Sequence, residues 1–161
     1  MKCLVCNSTI TGQYYQDYWG NKVCHSHIDN HEVTFCASCG SFVSVGDNTG
    51  DGRSLCESCM ASVIYNTEQI EKLKKYVLRR FMDIEVKFND KFLDSVRIDI
   101  VSPQRMAEIR KQPVDIQNKG LTQTHSRNTL GGKLFGVKDI FKHHIYILSY
   151  LPKIEFAATL A

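Results

Sequence analysis

Helical periodicity dominates one stretch of this chain. Val63, Ile64, Thr67, Ile70, Leu73, Val77, Leu78 and Phe81 recur at three- and four-residue intervals, with Glu68, Glu71, Lys72, Lys74, Lys75, Arg79 and Arg80 on the other faces. This predicts one amphipathic helix over residues 60–82. Upstream the pattern is shorter. Aromatic and β-branched residues between Thr9 and Val23 flank a Gly20-Asn21 turn, the composition of a hairpin. Residues 46–52 are loop chemistry, and Arg53–Leu55 reads as a strand. Downstream, Ile84–Phe88 and Val96–Val101 alternate as strands do. Ser102-Pro103 opens a helix that Pro113 stops by about Lys111. Residues 117–133 are polar, carry Gly120, Gly131 and Gly132, and read as a loop. His143–Tyr150 is a further strand, with Ile145 and Ile147 on one face. Pro152 starts a short apolar helix with no capping residue at its far end.

The organisation that follows has three parts. Residues 1–60 form small β-hairpin modules, residues 61–82 a connecting helix, and residues 83–161 a partial α+β domain. A hydrophobic fraction of 43% and a charged fraction of 23% are those of a folded protein. No apolar run approaches the roughly 18 residues of a membrane span, so no membrane role is expected.

The hairpin modules are too small to be stable on apolar burial alone, and their chemistry supplies the remedy. Cys3-x2-Cys6 and Cys24-x2-His27 are separated by seventeen residues, Cys36-x2-Cys39 and Cys56-x2-Cys59 by sixteen. All seven cysteines and one histidine are used, which is the donor set of two tetrahedral zinc sites. Two residues between donors let a tight turn aim both at one metal, and the longer spacer is a hairpin that returns the second pair to the first. His25 and His31 compete with His27 as fourth ligand. His27 is preferred because it reproduces the two-residue gap of the other three pairs. A disulfide framework is the alternative; it needs an oxidising compartment, whereas a reducing, cytoplasmic setting is expected. Trp19 and the tyrosines around it are either a binding patch or the module's small core, and core is the expected use.

Two structural Zn2+ ions change the charge balance. The formal charge of +3 counts cysteines as neutral. Seven thiolates and two dications bring it to about zero. Residues 1–60 hold only Lys2, Lys22 and Arg53 against Asp17, Asp29, Glu32, Asp47, Asp51 and Glu57, so no nucleic-acid partner is expected. A protein or peptide partner is. A cross-braced ubiquitin-ligase RING would need a short gap after His27, and eight residues follow it before Cys36.

Tandem two-zinc spacing of this kind resembles LIM domains, with the longer gap after His27 as a departure. The gap, Cys24-His25-Ser26-His27, the run Asp51-Gly52-Arg53-Ser54-Leu55-Cys56-Glu57-Ser58-Cys59 and the helix beyond it are similar to the DA-one family of LIM-domain-containing zinc metallopeptidases, the plant organ-size regulators, and to their bacterial relatives. The resemblance continues through His143–Tyr150, Leu151-Pro152 and Thr159-Leu160-Ala161. It implies a zinc-peptidase domain whose H-E-x-x-H helix follows the position matching Ala161, with a third, catalytic Zn2+ present only in a longer parent chain. No H-E-x-x-H occurs in these 161 residues, so no catalytic residue carries over and the chain is expected to be a truncated, inert piece. In such a parent His143–Tyr150 would be the edge strand that pairs with an extended substrate. The alternative is a stand-alone protein-interaction zinc-finger protein with no enzymatic role. The adjacent His143 and His144 do not substitute as a metal site, because neighbours in a strand point to opposite faces.

Overall fold

A computed structural model describes residues 1–46, 48–85, 96–127 and 140–161. They divide into two compact units, Met1–Val63 and Ile64–Ala161. The predicted strand Ile84–Phe88 lies largely outside the described residues, as do Gly131 and Gly132.

The first unit is built twice on one plan. Strands β1 (Tyr14–Gln16) and β2 (Lys22–Cys24) pair antiparallel and lead into a one-turn helix α1 (His25–Asp29). Strands β3 (Val33–Phe35) and β4 (Phe42–Ser44) pair likewise, and helix α2 (Glu57–Ala61) closes the second module. Its core is Cys3, Val23, Val33 and Phe42, with Ile10, Cys24 and Ile28 against it. The aromatic residues of the first hairpin are not in that core. Tyr14, Tyr15, Tyr18 and Trp19 all stand exposed. The hairpin is too short for two buried faces, and aliphatic Val23 and Ile10 fill the space that exists.

The stretch from residue 60 holds two helices rather than one. Helix α3 runs Thr67–Asp83, and Ser62–Asn66 lie outside both helices. The break has a local cause. The Asn66 side chain accepts from the Gln69 amide while the Gln69 side chain accepts from the Asn66 amide, a capping box that ends any helix arriving from upstream. Within α3, Ile70, Leu73 and Val77 of the apolar stripe are buried, and Val63 and Ile64 of the same stripe are buried ahead of it.

The second unit sets α3 and two further helices on a three-stranded sheet. Strand β5 (Val96–Val101) leads into α4 (Pro103–Arg110), where Ser102 caps by accepting from the Arg105 amide. Lys111 adopts a left-handed conformation at φ 56° and stops the helix two residues before Pro113. Strand β6 (Gly120–Arg127) occupies what the sequence reads as loop. Strand β7 (Ile140–Leu148) is followed by α5 (Lys153–Leu160).

The sheet order is β5-β7-β6. β7 pairs in parallel with β5 from Val96↔His143 to Val101↔Leu148, and antiparallel with β6 from Gly120↔Ile147 to Arg127↔Ile140. The strand expected at the edge is therefore central, with its backbone hydrogen bonds taken on both sides. Ile98, Ile100, Ile145 and Ile147 pack with Ile64, Ile70, Leu73, Leu151 and Phe156 into one core. Ile147 and Phe156 are fully buried. The apolar character of α5 is thus used locally, through Phe156, Ala157 and Leu160.

Candidate metal centre

Two four-donor clusters stand in the first unit, and each belongs to one module. Cys3, Cys6, Cys24 and His27 form one, and Cys36, Cys39, Cys56 and Cys59 the other. Within each cluster the ligating atoms lie within 4.8 Å of one another. The grouping is serial, so a cross-braced arrangement is excluded. All eight residues expected from the spacing are brought together.

The two clusters are assembled by the same devices. In the first pair of each, the carbonyl of the leading cysteine accepts from the amide four residues on, Asn7 N to Cys3 O at 3.0 Å and Gly40 N to Cys36 O at 3.0 Å. The residue after the second cysteine is left-handed in both, Asn7 at φ 58° and Gly40 at φ 72°. In the second pair, Cys24 and Cys56 are the N-cap residues of α1 and α2. His27 and Cys59 follow one turn later on the same side of the helix.

Amide donors converge on the sulfurs. Val5 N and Cys24 N each lie 3.4 Å from Cys3 Sγ, Cys56 N lies 3.3 Å from Cys36 Sγ, and Cys59 N lies 3.4 Å from Cys56 Sγ. Such donors stabilise thiolates, the form that binds metal. Cys39 Sγ and Cys56 Sγ are 3.7 Å apart. That is close to the edge of a tetrahedron with Zn–S bonds of about 2.3 Å, roughly 3.8 Å, and far beyond the disulfide bond of about 2.05 Å. All seven cysteines are free thiols. The donor geometry and chemistry fit two structural zinc ions.

His27 is selected over its neighbours by its own environment. Its Nδ1 bonds Glu32 Oε2 at 2.6 Å, which leaves Nε2 for the cluster. A carboxylate behind a ligating imidazole fixes its orientation and raises its basicity. His25 instead pairs through Nδ1 with Asp29 and stacks on Tyr15, with ring centroids 5.1 Å apart. His31 is an exposed left-handed residue at the end of α1. Sequence spacing ranked the histidines but gave no hint of Glu32.

Without an ion, each cluster keeps part of its protons. In the first, Cys6 is held down to about 6, chiefly by His27, while Cys24 is pushed up to about 11 by burial and then by the sulfurs of Cys3 and Cys6. His27 is raised to about 9 by Cys6 and then Glu32. Burial opposes the Cys3 thiolate, yet backbone amides outweigh it and lower its pKa. In the second, burial again opposes ionisation of Cys39, but the Ser41 hydroxyl and amide bring it to about 6, and burial drives Cys59 up to about 12. Three or four thiolates this close repel one another, and a dication removes the conflict.

One residue missed at the sequence level joins the two modules. Asp17, in the β1–β2 turn and only 4% exposed, accepts from Trp19 N at 2.9 Å, Asn21 N at 2.8 Å and Asn21 Nδ2 at 2.9 Å. Its Oδ2 also accepts from Phe42 N in the second module at 3.2 Å. Trp19 Nε1 donates to the carbonyl of the cluster residue Cys39 at 3.1 Å. In the second module, Thr49, Asp51 and Arg53 form a buried counterpart, with Arg53 Nη2 2.6 Å from Asp51 Oδ2.

Among the described residues of the second unit, no further His/Cys/Asp/Glu cluster able to hold a metal is found. His143 and His144 do face opposite ways. His143 Nδ1 meets Thr124 Oγ1 at 3.1 Å, and His144 bridges Asp99 and Tyr146 at 2.8 Å each. No helix among the described residues is long and apolar enough to cross a membrane.

No family model, curated protein or solved structure matches the chain. The architecture is accordingly described by its own geometry, a zinc-finger-like pair of hairpin modules followed by a mixed-sheet α+β unit.

Proposed function

We propose that the first unit is a LIM-like double zinc module in which both ions are structural and whose task is to dock a protein or peptide partner in the cytoplasm. One observation carries it: two serial four-donor clusters, built on a shared turn-and-helix plan, at a sulfur separation that suits tetrahedral zinc. Every donor is supplied by the protein, so no open position remains for chemistry at either ion. Zinc would contribute about 10–16 kcal/mol of apparent folding energy per site in modules of this size. It would hold the hairpins and their exposed aromatic side chains in place.

For the second unit we propose the amino-terminal part of a zinc-peptidase domain of the DA-one kind. The support is the resemblance through His143–Tyr150, Leu151-Pro152 and Thr159-Leu160-Ala161. The catalytic zinc and its H-E-x-x-H would belong to a longer parent chain.

Elemental analysis of the purified chain should give two zinc ions per molecule, and chelation should abolish the circular-dichroism signal of the first unit. A protein that is folded without zinc would overturn the structural assignment. Peptidase activity from the 161 residues themselves would overturn the reading of the second unit, since they contain no H-E-x-x-H.

A further inference from the structure

The β1–β2 turn presents two uncovered aromatic rings, one of them, Trp19, anchored by hydrogen bonds. Gly20 N donates to Asp17 O at 3.1 Å and Gly20 sits at φ 85°, closing a tight turn with Tyr18 and Trp19 at its tip. Trp19 is held at both ends, its amide by Asp17 Oδ1 and its indole N–H by the Cys39 carbonyl. Trp19 nevertheless remains 63% exposed, and Tyr18 is 87% exposed. The two rings meet edge to face at 89° with centroids 5.5 Å apart. They form a two-walled aromatic corner that contributes little to the module's core. The ordering entropy of the indole is already spent in the free protein, which is the condition for a preorganised binding surface.

The net charge of the first unit says what such a corner prefers. Aromatic faces are negative and attract cations. The first unit has three basic against six acidic side chains, a formal charge of −3. With zinc bound, the four-cysteine cluster would carry −2 and the three-cysteine, one-histidine cluster −1, taking the unit to −6. The indole hydrogen-bonds the backbone of Cys39, a member of the more negative cluster. The same hairpin already seats a cation on a ring, with Lys22 Nζ 5.3 Å from the Tyr14 centroid. Single-stranded nucleic acid also stacks on aromatic side chains, but its phosphates would meet a surface of their own sign.

We propose that the Tyr18–Trp19 corner binds the lysine or arginine side chains of an extended basic segment in a partner protein. The proposal rests on the reading of this unit as a zinc-folded docking module, and gives that module its ligand class.

Trp19 is the only tryptophan in the chain, so its fluorescence reports on the corner directly. Zinc-loaded protein is titrated with an unstructured Arg/Lys-Gly peptide, with the matching Glu-Gly peptide and with oligo-dT. A saturable fluorescence change is expected with the basic peptide alone, weakening as salt is added. Tyr18→Ala, which removes a side chain with almost no burial, should lower that affinity about two- to fivefold while leaving the zinc content unchanged. Calorimetry on Trp19→Phe, which keeps a ring but loses the indole donor, gives a second reading and should also show weaker binding. No binding of the basic peptide, equal binding of the acidic peptide or oligo-dT, or a Tyr18→Ala affinity equal to the original overturns the proposal. Zinc measured on the same samples separates the two failures. Zinc-free folded protein refutes the module, and zinc-loaded protein indifferent to the basic peptide refutes only its ligand.

Discussion

Replacing Asp17 by asparagine should uncouple the two zinc sites. The carboxylate uses Oδ1 for the turn, accepting from Trp19 N and Asn21 N, and Oδ2 for Asn21 Nδ2 and Phe42 N. An amide that keeps its oxygen in the turn turns an NH2 group towards the other two donors. Asn21 is exposed and can turn to water, so its loss costs little. The Phe42 amide lies in a buried setting and would be stranded. Losing a hydrogen bond to a charged acceptor there costs about 2–3 kcal/mol. If it falls on the second module, that is a roughly 30- to 150-fold weaker zinc affinity. The assay is competition with a chromophoric chelator at neutral pH, followed also by Trp19 fluorescence. The native protein should release both ions in one step. Asp17→Asn should release them in two, the all-cysteine site first. Affinities within threefold of the native protein, with release still in one step, would refute the coupling. Acid pH is the wrong test. Burial opposes ionisation of Asp17, but its four N–H donors lower its pKa, so its stabilisation is present above the unfolded value of about 3.9 and lost only below it. The zinc thiolates protonate well before that.

Zinc affinity should itself rise with pH. Cys24 at about 11 and His27 at about 9 are protonated in the metal-free first site at neutral pH, and Cys59 at about 12 in the second. Binding must expel those protons, so near pH 7 the first site's log affinity should climb by about two per pH unit and the second's by at least about one, measured by chelator competition across buffers. Gly120→Ala should lower the melting temperature of the second unit, because the new Cβ would lie 2.5 Å from Thr159 Cγ2. Thr159 is not free to yield, since its hydroxyl bonds Glu155 O at 2.8 Å; overpacking of this kind costs about 1–3 kcal/mol in denaturant unfolding. Asn66→Ala should cost about 1 kcal/mol through loss of the capping box, read the same way, with no change in zinc content.

What the sequence disclosed was governed by how local the cause was. The eight cluster residues were legible because metal geometry imposes fixed spacings. Ser102-Pro103 was legible because a cap is a dipeptide signal. Strand β6 was hidden: Leu121, Gln123 and His125 on one face and Thr122 and Thr124 on the other give no apolar alternation. Among the described residues β6 is at the sheet's edge, where no such alternation is needed. The break before α3 was also missed, because an apolar stripe continued across Asn66 and concealed the capping box. Glu32 and Asp17 act across a turn and across modules, at distances no short motif encodes. The exposed rings at the β1–β2 turn reversed the expectation from composition, which cannot tell a core aromatic from a displayed one.

The position of β7 in the sheet bears on how the protein is made. Its parallel partner β5 is 47 residues earlier in the chain, from Val96 to His143. That pairing cannot begin until β7 has been synthesised, and closing so long a loop is slow. The hairpins of the first unit close over fewer than ten residues, as from Gln16 to Lys22. Hairpins of that kind form in microseconds. Metal capture should therefore be complete on the ribosome before the sheet of the second unit exists. Refolding should then show a zinc-dependent fast phase and a slower phase indifferent to zinc.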